Sequence, residues 1–146
     1  MTTEASGPAS VTVGMGDHAE PSRKALVGYW VGTLFIALTA LGSGVVDVLH
    51  AQPLFGIMLH LGYPAYFATV LGVWKMLGAV VLLGPRWPLV KEWAYAGMFI
   101  DYSSAVVSHL ASGDGPGAVV GPVVATMALA ASWYLRPATR RLPRSG

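Results

Sequence analysis

The sequence predicts an all-α fold: a bundle of four transmembrane helices with a short interfacial segment between the first and the second. Hydrophobic residues make up 54% of the 146 residues and charged residues only 11%, well below the ~25% that is usual in a soluble domain. The mean hydropathy is +0.57. A soluble protein of this size cannot bury so much apolar surface, whereas a membrane protein exposes it to lipid.

Four apolar runs are long enough to cross a hydrocarbon core of ~30 Å. They are predicted at residues 25–49, 64–83, about 90–111 and about 118–135. Gln52-Pro53, Gly84-Pro85 and the Gly-rich run 112–117 separate them, as expected of turns. Between the first two runs, residues 54–61 are too few to span, which predicts a short interfacial helix or a re-entrant piece.

The four runs form one predicted membrane domain, residues 23–137, between two polar tails. Residues 1–22 contain almost no large apolar side chain, which predicts a disordered cytoplasmic tail. Residues 138–146 are predicted to be a basic cytoplasmic tail. The first apolar run is too long for the hydrophobic part of a signal peptide, so we expect no cleaved leader.

The basic residues predict how the four spans are oriented in the plasma (cytoplasmic) membrane. All Lys and Arg except Lys75 precede the first run, lie between the second and third, or follow the fourth: Arg23, Lys24, Arg86, Lys91, Arg136, Arg140, Arg141 and Arg144. Because short cytoplasmic loops carry the excess of Lys and Arg, both termini are predicted to be cytoplasmic. This explanation replaces nucleic-acid binding, for which the sequence contains no motif.

Several ionisable side chains lie inside the predicted spans, where a charge costs at least ~2.5–3.5 kcal/mol on insertion scales. Lys75 is midway along the second span, Asp101 midway along the third, and Asp47 in the outer third of the first. Helical spacing predicts two polar stripes: Ser43, Asp47 and His50 on the first span, and Asp101, Ser104 and Ser108, with His109 beside them, on the third. We expect both stripes to face inward, with Lys75 between them.

This polar cluster has two interpretations that the residues leave open. Lys75 could pair with Asp47 or Asp101 and so fix the helix register. Alternatively, the groups line a cavity open to the outer face, in which Lys75 orients an anionic or carbonyl group. The candidate catalytic residues are Asp47, Lys75, Asp101 and His109. The candidate pocket residues are His50, His60, Trp74, Tyr102, Ser104 and Ser108. The spacing of His and carboxylates does not indicate a metal site.

The absence of cysteine limits the reactions that the chain can perform, and its glycine motifs leave open whether it is a monomer or a homodimer. The chain has no cysteine, which excludes disulfides, thiolate nucleophiles and cysteine-ligated clusters within it. Gly28-x-x-x-Gly32 and Gly117-x-x-x-Gly121 match the close-packing motif of membrane helices. These pairs predict packing within one bundle or, alternatively, a homodimer. Glu92 is expected to be solvated, or to lie near the positive end of a helix dipole.

Two stretches carry a family pattern. The first is HLGYPAY at residues 60–66, leading into LGVWKMLG at 71–78; the second is KEWAYAG at 91–97, followed by SHLASGD at 108–114. In this order and spacing they resemble the DoxX-like family of small four-helix membrane proteins, over about residues 29–137. The resemblance implies that Lys75, Glu92 and His109 are polar residues of the family pattern, without assigned roles.

The resemblance also implies a class of function. The family takes its name from a subunit of a thiosulfate:quinone oxidoreductase, which implies an accessory or scaffold subunit of a redox-related membrane assembly. The sequence shows no cofactor motif, so electron chemistry would need a bound quinone or a redox partner protein. The alternatives are a small membrane enzyme (isomerase, cyclase or hydrolase) that uses acid–base chemistry on a lipophilic substrate, and a carrier or channel, which the lack of an internal repeat disfavours.

Overall fold

A computed structural model describes residues 22–142, which form five α-helices and one short 3₁₀ helix. The helices are α1 (Arg23–Val48), α2 (Leu54–His60), α3 (Ala65–Leu83), α4 (Pro88–Ala111) and α5 (Pro116–Tyr134), and the 3₁₀ helix is Ala138–Arg140. The all-α prediction is confirmed for this part of the chain. The predicted N-terminal tail, apart from Ser22, and the last four residues of the basic tail lie outside the described residues.

Local chemistry explains where the helices begin. The Ser22 side chain accepts a hydrogen bond from the backbone N–H of Ala25 (3.2 Å) at the start of α1, as an N-cap residue does. Pro88 and Pro116 occupy the first positions of α4 and α5, where the missing N–H costs little. The segment predicted as an interfacial helix is indeed helical: it is α2, whose Gly56 N–H bonds to the Gln52 side chain (3.1 Å).

The four long helices form a ring in which each contacts two neighbours. α1 packs against α3 and α5, and α4 completes the ring between α5 and α3. The α1–α3 contact is the most extensive and the α3–α4 contact the least extensive of the four. The buried core is made chiefly by Ile36, Leu82, Tyr95, Met98 and Leu129. The ring is therefore tight on one side of α3 and loose on the other.

The tight side depends on two glycines that face each other across α1 and α3. A Cβ atom added to Gly44 would lie 2.7 Å from the Gly72 carbonyl oxygen, and one added to Gly72 would lie 2.5 Å from the Gly44 oxygen. Real Cβ atoms do not come so close to an oxygen, so this helix separation requires glycine at both positions. The contact brings the backbones together as small residues do in membrane bundles.

The two glycine motifs of the sequence have different surroundings. A Cβ atom on Gly32 would lie 3.2 Å from the Ala128 carbonyl oxygen of α5, so Gly28 and Gly32 pack within the bundle. On Gly117 or Gly121, by contrast, it would meet no described atom within 4 Å. The face of α5 that carries this second pair is open.

Within the described residues, three helices, α1, α3 and α5, are long and apolar enough to cross a membrane. Their outer faces expose large apolar side chains, for example Leu38 at 67% and Met127 at 68%, which suits contact with lipid. α4 has 24 residues but is the least apolar of the four long helices, since it carries Lys91, Glu92 and Asp101. The fourth span stays a prediction on these grounds.

Gly44→Ala should destabilise the bundle, because the added methyl group meets the Gly72 carbonyl oxygen and forces α1 and α3 apart. Overpacking of this kind costs about 1–3 kcal/mol. The matched control is Gly42→Ala, two residues earlier on α1, where an added Cβ meets no described atom within 4 Å. Thermal unfolding in detergent should show a lower midpoint for Gly44→Ala only; equal midpoints would contradict the assigned helix contact.

Candidate functional site

The three charged side chains expected to meet inside the bundle are close together. The Lys75 Nζ atom lies 3.0 Å from Asp47 Oδ2 and 3.8 Å from Asp101 Oδ2. The first distance is a hydrogen-bonded ion pair; the second is a longer ionic contact. Asp47 and Lys75 each lie three residues after one of the two facing glycines, so the α1–α3 contact aligns them. Asp47 is 2% exposed.

Of the two carboxylates, Asp101 has the longer contact with Lys75. Its Oδ2 atom is buried and has no hydrogen-bond partner among residues 22–142, although the side chain as a whole is 14% exposed. Two carboxylates thus share one ammonium group, and the shorter contact goes to Asp47. The cluster carries one more negative than positive charge when all three groups are ionised.

A cavity of about 480 Å³ opens between α3 and α4, on the loose side of the ring. Lys75, Asp101 and Ser104 are polar residues on its wall, and Met58 and Leu61 of the α2 region also line it. The rest of the wall is mostly apolar and aromatic, and includes Phe67, Leu71, Trp74, Val81, Trp93 and Met98. A concave, mostly apolar space with a few convergent polar groups is typical of a small-molecule site.

Two of the other predicted pocket residues line this cavity, whereas Tyr102 and Ser108 are not among the residues of its wall. Trp74 and Ser104 line it. Tyr102 is buried, and its hydroxyl has no hydrogen-bond partner in the described part of the chain. The Ser108 hydroxyl bonds to the hydroxyl of Tyr63 (2.7 Å), which links α4 to the turn before α3. Tyr63 also lines the cavity, and the apolar periodicity gave no sign of it.

His50 leaves the polar stripe on which helical spacing placed it. α1 ends at Val48, and His50 adopts a left-handed conformation with φ of 51°. This reversal satisfies helix-end carbonyls, as the bond from the Ala51 N–H to the Val46 oxygen (3.0 Å) shows. The exposed His50 ring therefore hydrogen-bonds to Thr69 on α3 (2.9 Å), and does not face inward with Asp47 as predicted.

His60 and His109 form a separate cluster with Asp114, a residue that the sequence reasoning did not select. Asp114 lies within 2.8 Å of His60 Nε2 and 2.7 Å of His109 Nδ1. Gly113, with φ of 74°, reverses the chain after α4 and places Asp114 beside His109. Hydrogen bonds from His109 and His60 hold the pKa of Asp114 below its usual range. His109 is thus engaged away from Lys75.

The basic end of the bundle contains a second polar network. Glu92, expected to be solvated, pairs with Arg136 at 2.7 Å and accepts a hydrogen bond from Trp133 (3.0 Å). The Lys91 ammonium donates to the carbonyl oxygens of Val81 (2.6 Å) and Leu82 (2.8 Å) at the end of α3. These side chains satisfy carbonyl groups that a helix end leaves unpaired.

The described residues include no group of three or more His, Asp or Glu side chains placed to hold a metal ion. Polar groups that can contact a ligand lie on the wall of the α3–α4 cavity. Lys75 supplies a hydrogen-bond donor there, and Asp101 an acceptor.

Comparison with known proteins assigns the family. The sequence profile of the DoxX-like family matches residues 31–132, which is well over half of the chain. This protein belongs to the DoxX-like family. Its membership and its long apolar helices make it a membrane protein. No curated protein and no solved structure matches the chain.

The part that matches the DoxX-like profile contains the α3–α4 cavity and all three charged residues beside it. Glu92 and His109 also lie within the match. Arg136 and Arg140 follow it. The features that distinguish the candidate site are therefore carried by the DoxX-like region itself.

Lys75→Met should destabilise this DoxX-like protein by about 3–5 kcal/mol, because Asp47 would stay buried without its cation. Lys75→Met with Asp47→Leu should recover most of the loss, since neither charge then remains. The measurement is the free energy of unfolding in mixed detergent micelles.

A double-mutant cycle provides the control for this prediction. The coupling of Lys75 to Asp47, at 3.0 Å, should exceed its coupling to Asp101, at 3.8 Å. Zero coupling to Asp47 would show that the ion pair contributes nothing to the folded state.

Proposed function

We propose that this DoxX-like protein crosses the plasma membrane with four helices and binds a lipophilic molecule between α3 and α4. The observation that carries the proposal is the cavity of about 480 Å³, an apolar space with Lys75 and Asp101 on its wall. Its volume lies in the range of ~300–1,000 Å³ that ligand sites occupy. The cavity lies where the ring is loosest, because α3 and α4 make the least extensive of its four helix contacts.

Contacts at both ends of α4 support it as the fourth span. Near its start, Lys91 bonds to carbonyls at the end of α3; near its end, Ser108 bonds to Tyr63 just before α3 begins. α4 therefore runs antiparallel to α3 along most of its length, and would cross any membrane that α3 crosses. Its polar residues point largely to neighbouring helices, which offsets its lower hydropathy.

The position of the basic residues supports cytoplasmic termini. Arg140, after α5, donates a hydrogen bond to the Tyr29 hydroxyl of α1 (3.2 Å) and lies near the Gly84 carbonyl oxygen (3.3 Å) at the end of α3. Arg23, Lys24, Arg86 and Lys91 belong to the same end of the bundle. An excess of Lys and Arg at one end is expected on the cytoplasmic side.

Single cysteines test the topology, because the chain has none of its own. Ser112→Cys lies in the exposed turn after α4, and Arg86→Cys in the exposed turn before it. In intact cells a membrane-impermeant maleimide should label Ser112→Cys, and should label Arg86→Cys only after permeabilisation. The cysteine-free parent is the control.

The other labelling results would overturn parts of the proposal. Equal labelling of both variants in intact cells would put the two turns on one side and exclude α4 as a span. Labelling of Arg86→Cys alone would keep four spans but reverse the orientation.

Two functions compete with ligand binding. An accessory subunit of a membrane or redox assembly, or a homodimer, would dock through α5, whose Gly117 and Gly121 have open surroundings. A membrane enzyme would use acid–base groups at the cavity, where Lys75 and Asp101 are present but His109 is engaged by Asp114. A quinone is one candidate occupant that the family resemblance implies.

Filling the cavity separates these functions. Gly97 lines it, and a Cβ added there meets no described atom within 4 Å, so Gly97→Leu should occupy the space without distorting the bundle. Binding of a decyl benzoquinone or of farnesol, measured by thermal shift in detergent, should weaken by about tenfold or more. The matched control is Gly121→Leu, at an open glycine outside the cavity, which should bind normally.

The contrary results are specific. Equal binding by Gly97→Leu and Gly121→Leu would place the ligand elsewhere. No stabilisation of the wild type by any lipophilic probe would favour the accessory-subunit function, and loss of a native complex in Gly121→Leu alone would support docking through α5.

A further inference from the structure

We infer that the occupant of the α3–α4 cavity carries a cationic hydrogen-bond donor: it is a lipophilic amine, bound through its ammonium group. The inference rests on the proposed function, since it assumes that the cavity binds a ligand. It goes beyond that proposal because it assigns the charge and hydrogen-bonding character of the ligand from the charges on the cavity wall.

The first argument is the charge of the cluster beside the cavity. Lys75 is the single ammonium group in contact with two carboxylates, and its hydrogen bond goes to Asp47 at 3.0 Å. Asp47 is almost fully buried, whereas Asp101 lines the cavity. When all three groups are ionised, one negative charge is left without full compensation, and Asp101 is the carboxylate on the cavity wall. In a medium that excludes water, an opposite charge is strongly favoured there.

The second argument is hydrogen bonding. Asp101 Oδ2 is buried and lacks a partner among residues 22–142, and a buried acceptor without a donor is costly. The Asp101 side chain as a whole lines the cavity and is 14% exposed, so a donor placed beside it there can compensate the carboxylate. An ionised carboxylate only accepts hydrogen bonds. A quinone or a fatty-acid carboxylate offers no donor to it, whereas an ammonium group offers several. The Lys75 ammonium, which would suit an anionic or carbonyl head group, is already hydrogen-bonded to Asp47 and in ionic contact with Asp101.

The third argument is the aromatic wall. Trp74 of α3 and Trp93 of α4 both line the cavity, together with Tyr63 and Phe67. The faces of aromatic rings attract cations, and tryptophan does so most strongly. Aromatic rings combined with one undercompensated carboxylate make a setting that suits an ammonium group and an apolar chain. With Asp101 ionised, the same setting disfavours an anion.

Three amphiphiles of twelve carbons that differ in the head group test the inference: dodecylamine, dodecanol and dodecanoate. Affinities are measured by displacement of a fluorescent lipophilic probe from the full-length protein in nanodiscs, below the micellar concentration of each compound. The amine should bind at least about tenfold more tightly than the alcohol, and the carboxylate should bind most weakly.

Two variants assign the preference to Asp101. Asp101→Asn should bring the amine-to-alcohol ratio close to one. Asp114→Asn, the same change at a carboxylate that does not line this cavity, should leave the ratio unchanged. Comparing the ratio of each variant with that of the wild type, in nanodiscs of one lipid composition, cancels the difference in how the compounds partition into lipid. If Asp101→Asn does not fold, Gly97→Leu, whose cavity is filled, supplies the comparison, and its ratio should also fall toward one.

The outcomes separate the inference from the proposed function. Equal affinity for amine and alcohol, or tighter binding of the carboxylate or of a decyl benzoquinone, overturns the inference while the cavity remains a binding site. Binding that Gly97→Leu does not weaken, or no binding of any compound, overturns both. A preference for the amine that persists in Asp101→Asn also overturns the assignment of the cation to this carboxylate.

Discussion

A lysine ammonium midway along an apolar helix must find a carboxylate, because neither lipid nor packed hydrocarbon replaces the water it has lost. Here Lys75 finds Asp47 across the closest helix contact in the bundle, the one between Gly44 and Gly72. The two features depend on each other. Glycine at both positions lets the backbones approach, and the approach brings the charges to 3.0 Å. The register of α1 against α3 follows from this pairing.

Lys75 also lines the cavity between α3 and α4, where helix packing is least extensive. Lys75 lies between the tight α1–α3 interface and the α3–α4 cavity, so the residue that pairs with Asp47 also lines the cavity. The two interpretations of the polar cluster, register and cavity, are therefore compatible. Asp47 serves the first, and Asp101 is available to the second. Such a division of roles lets a bundle of only four long helices combine stability with an accessible interior.

The apolar runs and the Pro and Gly residues between them predicted the helices well, because membrane-spanning segments are continuously apolar and Pro and Gly mark their ends. The meeting of Lys75 with two carboxylates was also foreseeable from the cost of burying charge. The sequence could not show that His50 turns away, since that depends on a left-handed residue after α1. It also did not indicate Asp114, which a turn brings between two histidines. Side chains that act across turns have no periodic pattern to identify them.

The end of α3 is completed by a residue from much later in the chain. Arg140 lies near the carbonyl oxygens of Leu82 (3.4 Å) and Gly84 (3.3 Å), and its guanidinium stacks on Trp30 at 4.7 Å. During synthesis, α1 and α3 are made well before this arginine. The contacts that Arg140 makes with α1 and with the end of α3 can therefore form only after α5 has been made.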